Sequence, residues 1–343
     1  MRPLSILLLS DGRPGSYHLS EGIILAIQLY RPSVVTRLDV RRRGWSGKVL
    51  AVLVNAGMPP RWLLKIVHGI DADALPPVDL IVSSGAETLA ANIVLARLRT
   101  VPNIFYGSLR WFRRDDFALV LTSYAQHAKG NRHLMVLKPS SAVADAVPRL
   151  EAHQLGPKQP PKVAGLLIGG STRGFVFTED YWRRLAEFAA LTHKTYGTRW
   201  IISNSRRTPS AASDAMAATT ASIGENGASF IDVRKAGSDT IRPLFQQAEA
   251  VVCSGDSSTM ISEVVSAMLP AVSVTPEQYH FTREEDAYRR YMIAKGWCQN
   301  VPISELSPQR FLLELDRIEP LKTNPIKELG ATLRDRLPEL YQE

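Results

Sequence analysis

Residues 241–274 read IRPLFQQAEAVVCSGDSSTMISEVVSAMLPAVSV, and the polar centre of this stretch is the part of the chain best equipped for chemistry. An apolar run at 250–253 breaks at Ser254-Gly255-Asp256-Ser257-Ser258. Met260, Ile261, Val264, Val265 and Met268 follow at helical spacing, and a second apolar run begins after Pro270. Strand, polar turn, helix and strand form the unit of a parallel α/β sheet. A turn of small residues that opens a helix offers free backbone N–H groups and the positive end of the helix dipole, which suit a phosphate. Glu263 lies about one turn into the helix, where a carboxylate reaches the hydroxyls of a sugar or ribose. Ser257 or Ser258 can serve as an ordinary cap. A capping box, however, sets its Glu or Gln three residues after the cap, and Glu263 comes five after Ser258. The spacing points to a diphosphate-sugar site.

Two further loops follow apolar runs and carry phosphate-compatible groups, Gly169-Gly170-Ser171-Thr172 and Ser203-Asn204-Ser205-Arg206-Arg207-Thr208. Glycine lets backbone approach a ligand, and arginine supplies forked donors for phosphate oxygens. A glycine pair alone serves any tight turn, and an arginine pair is more often a solvated surface feature. Three such loops in one half of the chain weigh together. They make Gly169, Gly170, Ser171, Ser205, Arg206, Arg207, Thr208, Asp256, Ser257, Ser258 and Glu263 the donor-binding candidates. No segment matches GxxxxGK[ST] or GxGxxG, which disfavours a P-loop NTPase and a dinucleotide dehydrogenase.

Near the start, Asp11-Gly12-Arg13-Pro14-Gly15-Ser16-Tyr17-His18 follows an apolar run. Asp11 and His18 are the candidates for deprotonating an acceptor hydroxyl, with Gly12, Arg13, Gly15, Ser84 and Glu87 as acceptor-side residues. A turn or cap role for Asp11, and a surface position for His18, are the competing structural readings. Asp71-Ala72-Asp73 has DxD spacing without a preceding apolar strand. Asp115-Asp116 is a doublet, and Glu284-Glu285-Asp286 reads as a solvated helix face. No metal and no cofactor are therefore expected, the nucleotide-diphosphate sugar being a substrate.

These loops need a scaffold of strands that end at them. Apolar runs predict strands at 4–9, 80–82, 103–106, 119–122, 134–137, 163–168, 200–202, 229–233 and 250–253, with helices at about 19–29, 87–98, 181–193 and 241–248. The Pro-rich polar stretch 154–162 cannot continue a helix and divides the chain. Each half alternates β and α, so the expected fold class is α/β with two Rossmann-like domains facing each other across a cleft. The expected boundaries are 1–155 for an acceptor-side domain and 163–319 for a donor domain. Residues 320–343 should form a helix packing back on the first domain.

With 45% hydrophobic and 22% charged residues the chain is globular. Two cysteines rule out a disulfide framework. The first apolar run is too short for a signal peptide core, and none approaches the roughly 18 residues of a spanning helix. A cytoplasmic protein is expected, with peripheral attachment at the inner face of a membrane as its one route to a bilayer. Residues 1–155 carry 19 Lys and Arg against 11 Asp and Glu, whereas 156–343 carry 22 of each. The whole excess of +8 therefore lies in the first half, where Arg41, Arg42, Arg43, Lys48, Arg61 and Lys65 interleave with Trp45, Trp62, Leu63 and Leu64. Such a block attracts an anionic membrane or an acidic substrate. Without a zinc-finger or RNP-like pattern, nucleic acid is not an expected partner.

Ser10-Asp11-Gly12-Arg13-Pro14-Gly15, Ile168-Gly169-Gly170, Ser205-Arg206-Arg207-Thr208-Pro209 and Asp256-Ser257-Ser258-Thr259-Met260-Ile261-Ser262-Glu263 together resemble the mitochondrial fission Elm-type family, in an order that runs through most of the chain. One departure is Ser16, which stands where the family pattern has His, with His18 two residues later. More distantly, residues 242–274 look like the donor half of the peptidoglycan lipid-linked N-acetylglucosaminyltransferase and other GT-B enzymes. That resemblance implies Glu263 on ribose, the Ser257 and Ser258 amides on diphosphate, and Gln278 near the donor sugar. It implies a metal-independent inverting glycosyltransferase taking a nucleotide sugar and a glycan or lipid-linked acceptor. The alternatives are a nucleotide-sugar epimerase or hydrolase on the same fold, and a non-enzymatic peripheral membrane or scaffold protein.

Overall fold

The central strands are short apolar runs whose side chains are buried on both faces, the signature of a parallel sheet covered by helices. The computed structural model describes residues 2–143, 159–172, 174–236 and 241–342, so most of the connector expected at 154–162 lies outside the described residues. Two compact units emerge, Met1–Ala144 with Pro325–Glu343, and Asp145–Asn324.

The first unit holds strands β1 (Leu4–Ser10), β2 (Ser33–Asp39), β3 (Leu80–Ser84), β4 (Asn103–Tyr106), β5 (Leu119–Thr122) and β6 (His133–Met135). They form one sheet in the order β2-β1-β3-β4-β5-β6, every pair parallel. Helices α1 (Pro14–Gln28), α2 (Gly47–Asn55), α3 (Pro60–Leu63) and α4 (Leu89–Arg99) connect them. One face packs Leu7, Leu9, Ile81 and Phe105 against α2, α3 and α4, and the other packs Ile6, Leu8, Val82 and Ile104 against α1. The helix expected in the tail is seen at Pro325–Arg336, where Ile326, Leu329 and Leu333 join the cluster of Ile23 and Ile27 on α1. At Gly330 an added Cβ would stand 2.3 Å from the Ala26 carbonyl oxygen, so glycine is what lets this helix press onto α1.

The second unit holds β7 (Val163–Leu167), β8 (Arg199–Ser203), β9 (Ala228–Ile231), β10 (Ala250–Ser254), β11 (Ala271–Thr275) and β12 (Cys298–Pro302). Its helices are α5 (Glu179–Tyr196), α6 (Ser210–Ile223), α7 (Val233–Ala236), α8 (Arg242–Gln247), α9 (Ser258–Ser266), α10 (Arg283–Ala294) and α11 (Pro308–Leu315), and the tail helix Pro325–Arg336 is α12. The all-parallel order is β12-β11-β10-β7-β8-β9. Renumbered within the unit this is 3-2-1-4-5-6, the dinucleotide-fold order, whose topological switch point lies between the first and fourth strands, β7 and β10. Trp200, Phe188 and Phe311 meet edge-on or tilted at 5.6–6.2 Å and centre one core face.

Helix α1 begins five residues earlier than the apolar pattern predicts. Pro14 is its first residue, with φ already preset for a helix, so His18 is a helical residue and not part of the loop.

Candidate functional site

In the second unit, ligands of such a sheet collect at the carboxyl ends of the strands beside the switch point. Gly169-Gly170 follow β7, Ser254–Ser258 run from the last residue of β10 to the first of α9, and Ser205–Thr208 follow the adjoining β8, so the three loops singled out in sequence converge. Asp256 ties them together. Its wholly buried carboxylate accepts from Ser254 Oγ at 2.7 Å, from Arg207 Nη2 at 2.8 Å and, more weakly, from the Gly170 amide at 3.4 Å. Ser254 Oγ accepts from the Gly169 amide at 2.7 Å. Thr208 Oγ1 accepts from the Ser205 amide at 2.8 Å and lies 2.6 Å and 3.0 Å from the carbonyls of Gly169 and Ile168. Burial pushes the Asp256 carboxyl up from the ordinary range, against the opposing pull of Ser254 and Arg207.

The glycines are explained by this closeness. A Cβ on Gly169 would fall 2.2 Å from the Asp256 carboxylate, and one on Gly170 would fall 2.0 Å from the Arg207 carbonyl oxygen. Ser257 is the N-cap of α9 and accepts from the Met260 amide at 3.3 Å, while Ser258 is its buried first residue. The capping role anticipated for one of the two serines thus falls to Ser257. Glu263 is half-buried on the second turn of α9. Arg206 and Gln278 are exposed, Gln278 between β11 and α10. Ser171 accepts from the Phe177 amide at 3.3 Å.

The first unit has its own switch point, between β1 and β3. Asp11 follows β1, and its carboxylate accepts from the Arg13 amide at 3.0 Å and from Ser16 Oγ at 3.2 Å, shaping the turn that Gly12 passes at φ +74°. Arg13 is the N-cap position of α1 without a side-chain cap bond, and Gly15 lies in the first turn. Ser84, at the end of β3, donates to the Ser16 carbonyl and accepts from Ser20 Oγ. Glu87 is held by a two-pronged pair with Arg42, whose Nε lies 2.5 Å away, and these bonds keep its carboxyl below the usual range. Asp11, Ser84 and Glu87 thus all have structural partners.

His18 is placed differently. Its Nδ1 lies 2.9 Å from Glu21 Oε2, which also accepts from Ser141 Oγ at 3.2 Å. A proton on Nδ1 shared with Glu21 makes Nε2 the lone-pair nitrogen, the arrangement of an oriented base. Sequence reasoning missed Glu21, although its i,i+3 spacing from His18 was legible. Hydrogen bonding from His18 is the main cause that lowers the Glu21 carboxyl. Its contribution to stability is therefore present above the ordinary Glu range and is lost as pH falls through the lowered folded value. Acid unfolding followed by circular dichroism should accordingly show a shallower dependence on pH below about 4.5 in Glu21→Gln than in the parent. Equal dependence in both would leave the pair without energetic weight.

The basic surface is only partly as the sequence implied. Leu63, the last residue of α3, and Leu64, the first of the helical turn Leu64–His68 that follows it, are core residues, and Arg42 and Arg61 are paired with Glu87 and Asp73. Val49, Val52, Trp62, Ile66 and Trp111 are exposed apolar groups here, with Trp45 packed edge-on to Trp62 at 6.5 Å and Lys48 over the Trp111 ring at 5.4 Å. Among the described residues no helix is long and apolar enough to cross a membrane.

Solved structures resemble the whole chain at low identity. A UDP-GlcNAc 2-epimerase from Methanocaldococcus jannaschii matches with a TM-score of 0.59 at 13% identity, over 98% of this chain and 100% of that one. The enzyme of that name from Neisseria meningitidis, bound to UDP-GlcNAc, matches with a TM-score of 0.52 at 10% identity, over 98% and 100%. The glycotransferase of kitacinnamycin matches with a TM-score of 0.50 at 14% identity, over 99% and 96%. The likeness shows the fold, two Rossmann-like α/β domains of GT-B type. No curated protein matches the sequence significantly. The model of the family described as mitochondrial fission ELM1 matches residues 14–328, a span that includes the Arg206-Arg207 loop and the Asp256–Glu263 segment. The chain belongs to the mitochondrial fission ELM1 family.

Proposed function

We propose that the protein transfers a sugar from a nucleotide-diphosphate donor to an acceptor hydroxyl, with inversion and without a metal ion. The observation that carries this reading is the convergence of three polar loops on the β7/β10 switch point, where α9 presents its N-terminus and Glu263 follows one turn on. In this scheme the Ser257 and Ser258 amides and Arg206 hold the diphosphate, Glu263 holds ribose hydroxyls, and Gln278 borders the sugar. Gly169, Gly170, Ser205, Thr208 and Asp256 set the loop geometry. His18 Nε2, with Asp11 as the competing candidate, takes the acceptor proton as the acceptor oxygen bonds to the anomeric carbon. The bond from that carbon to the diphosphate oxygen breaks, and the leaving charge is stabilised by donors already in place.

The enzymes similar in fold include epimerases of nucleotide sugars as well as a glycotransferase, so the competing reading is epimerisation or hydrolysis of the donor. Incubating the protein with a panel of UDP, GDP, ADP and CMP sugars separates the two. Transfer requires an acceptor and persists in EDTA, whereas donor consumed or inverted without an acceptor overturns the proposal. A thermal-shift panel with the same nucleotides comes first. A ligand at a hundredfold excess over its Kd adds about 2.7 kcal/mol, a shift of roughly a few degrees in a chain of this size. Binding of none of them would favour a scaffold protein.

The acceptor side is proposed to work at an anionic membrane surface, through Lys48, Lys65 and Arg41 beside Trp62, Ile66 and Trp111. Each basic residue near such a surface contributes about 1 kcal/mol, and tryptophan favours the headgroup layer. Co-sedimentation with vesicles should require anionic lipid, fall with salt and weaken when Lys48 and Lys65 become Ser. Equal sedimentation with neutral vesicles, or none with either, removes this role.

A further inference from the structure

Arg13 has no part in the scheme above, although it stands where the ligands of a parallel sheet collect. In the first unit the carboxyl ends of β1, β2, β3 and β4 share one edge. Six cations stand along it, Arg13 after β1, Arg41, Arg42 and Arg43 after β2, Lys48 in the first turn of α2 and Arg110 after β4. The same loops hold two carboxylates, Asp11 and Glu87. Asp11 is spent on its own turn and Glu87 on Arg42. Arg37 and Asp39, at the end of β2, pair with each other. Among the described residues Arg13, Arg41, Arg43, Lys48 and Arg110 make no ion pair, and all five are exposed.

These loops border one another. Hydrogen bonding from Arg42 is the main cause that lowers the Glu87 carboxyl, and the charge of Arg13 adds to it, so two guanidinium groups flank one carboxylate. A Cβ on Gly47 would lie 2.9 Å from Arg42 Nη1 and 3.7 Å from the Trp111 ring, over which Lys48 sits at 5.4 Å. Arg42 spends Nε and Nη2 on Glu87, and among the described residues its Nη1 has no acceptor. Its side chain is 20% exposed.

Charge and shape decide the ligand. Unpaired cations at a ligand edge favour an anion and concentrate it there. One guanidinium fork covers a planar carboxylate, whereas cations from separate loops suit a tetrahedral group whose oxygens point apart. A phosphate monoester, at about −1.5 to −2 charge near pH 7, also answers more of the excess than a carboxylate. His18 follows Arg13 by five residues, roughly 7 Å along α1. A phosphate held at Arg13 thus brings hydroxyls of its own molecule towards the base.

We propose that the acceptor carries a phosphate and that Arg13, Arg42 Nη1 and Lys48 hold it at the carboxyl edge of the first sheet. The site rests on the proposed function only in calling its ligand an acceptor. The phosphate belongs to a lipid headgroup or to a soluble phosphate ester. Ligand-observed proton NMR on the full chain, with glycerol 3-phosphate as probe and glycerol as its neutral control, reads the site. Glycerol 3-phosphate should bind, more weakly as salt rises, and glycerol should not. Arg13→Gln should weaken binding about tenfold, the low end for a hydrogen bond to a charged group. The Arg13 side chain is exposed and caps nothing, so this variant keeps the fold. Short-chain phosphatidic acid, dispersed as monomers, binding more tightly than glycerol 3-phosphate assigns a lipid headgroup, and equal affinity assigns a soluble ester. Acetate binding as well as glycerol 3-phosphate, or affinity unaltered in Arg13→Gln, overturns the site. So does a loss that follows Arg206→Ala and not Arg13→Gln, since the anion would then lie in the donor loops. A nucleotide panel that fails while glycerol 3-phosphate still binds through Arg13 would instead sink the transferase reading and leave the phosphate site standing.

Discussion

Replacing His18 by Gln should slow sugar transfer by about 10²–10⁴-fold, the usual share of a general base, and leave nucleotide affinity unchanged. The geometry singles out His18 because its Nδ1 is engaged by Glu21 and its ring is partly exposed, with 29% of the side chain accessible. Asp11, the other candidate, spends both carboxylate oxygens on its own turn. Asp11→Asn should therefore act on thermal stability more than on the rate. Glu21→Gln, acting through the imidazole, should lower kcat with KM for the donor unaltered. A rate that collapses in Asp11→Asn but survives in His18→Gln would reverse the assignment, and a rate that survives in both would place the base elsewhere.

The parts of this fold that can be read from sequence are those where a single physical requirement dominates. Central strands such as β1, β7 and β10 are buried on both faces and so show as unbroken apolar runs. β2, SVVTRLD, lies at a sheet edge with most residues exposed or half-buried, and β12, CQNVP, lies at the other sheet's edge. Neither needs an apolar run, and neither was legible. α6 was hidden for a different reason. Its sequence, SAASDAMAATTASI, buries Ala212, Ser213 and Met216 and adds only the half-buried Ile223 to the core, so small residues replace most of the usual apolar stripe.

The candidate site divides along the same line. That three loops converge follows from βα alternation plus strand order, since strand-end turns of a parallel sheet share one edge. What each residue does within the loops depends on neighbours remote in sequence, such as Arg207 with Asp256 or Arg42 with Glu87, 49 and 45 residues apart. The glycines show the consequence. Sequence reasoning assigned Gly169 and Gly170 to the approach of a ligand, whereas the contacts that exclude a Cβ there are to Asp256 and Arg207.

Removing the Glu263 carboxylate should weaken nucleotide binding by about 1.5–3 kcal/mol, the range for a hydrogen bond to a charged group, or roughly 10- to 150-fold in Kd. The fold should persist, because α9 is anchored by Ile261, Val264 and Val265 on its buried side. Arg206→Ala should do the same through the diphosphate. Arg206 is the better probe of the pair, since Arg207→Ala would also strip Asp256 of its guanidinium and leave a buried carboxylate short of a partner. Gly170→Ala supplies the contrast. Its Cβ would meet backbone, the Arg207 carbonyl, and not a side chain that can swing away, so the loops must separate and both binding and melting temperature should fall together. Calorimetric titration beside thermal melting distinguishes these outcomes. Affinity lost at constant stability in Glu263→Ala and Arg206→Ala places the nucleotide at the β7/β10 switch point. Affinity unchanged in both, with Gly170→Ala still destabilised, would show that the three loops are built for the fold and that the donor binds elsewhere.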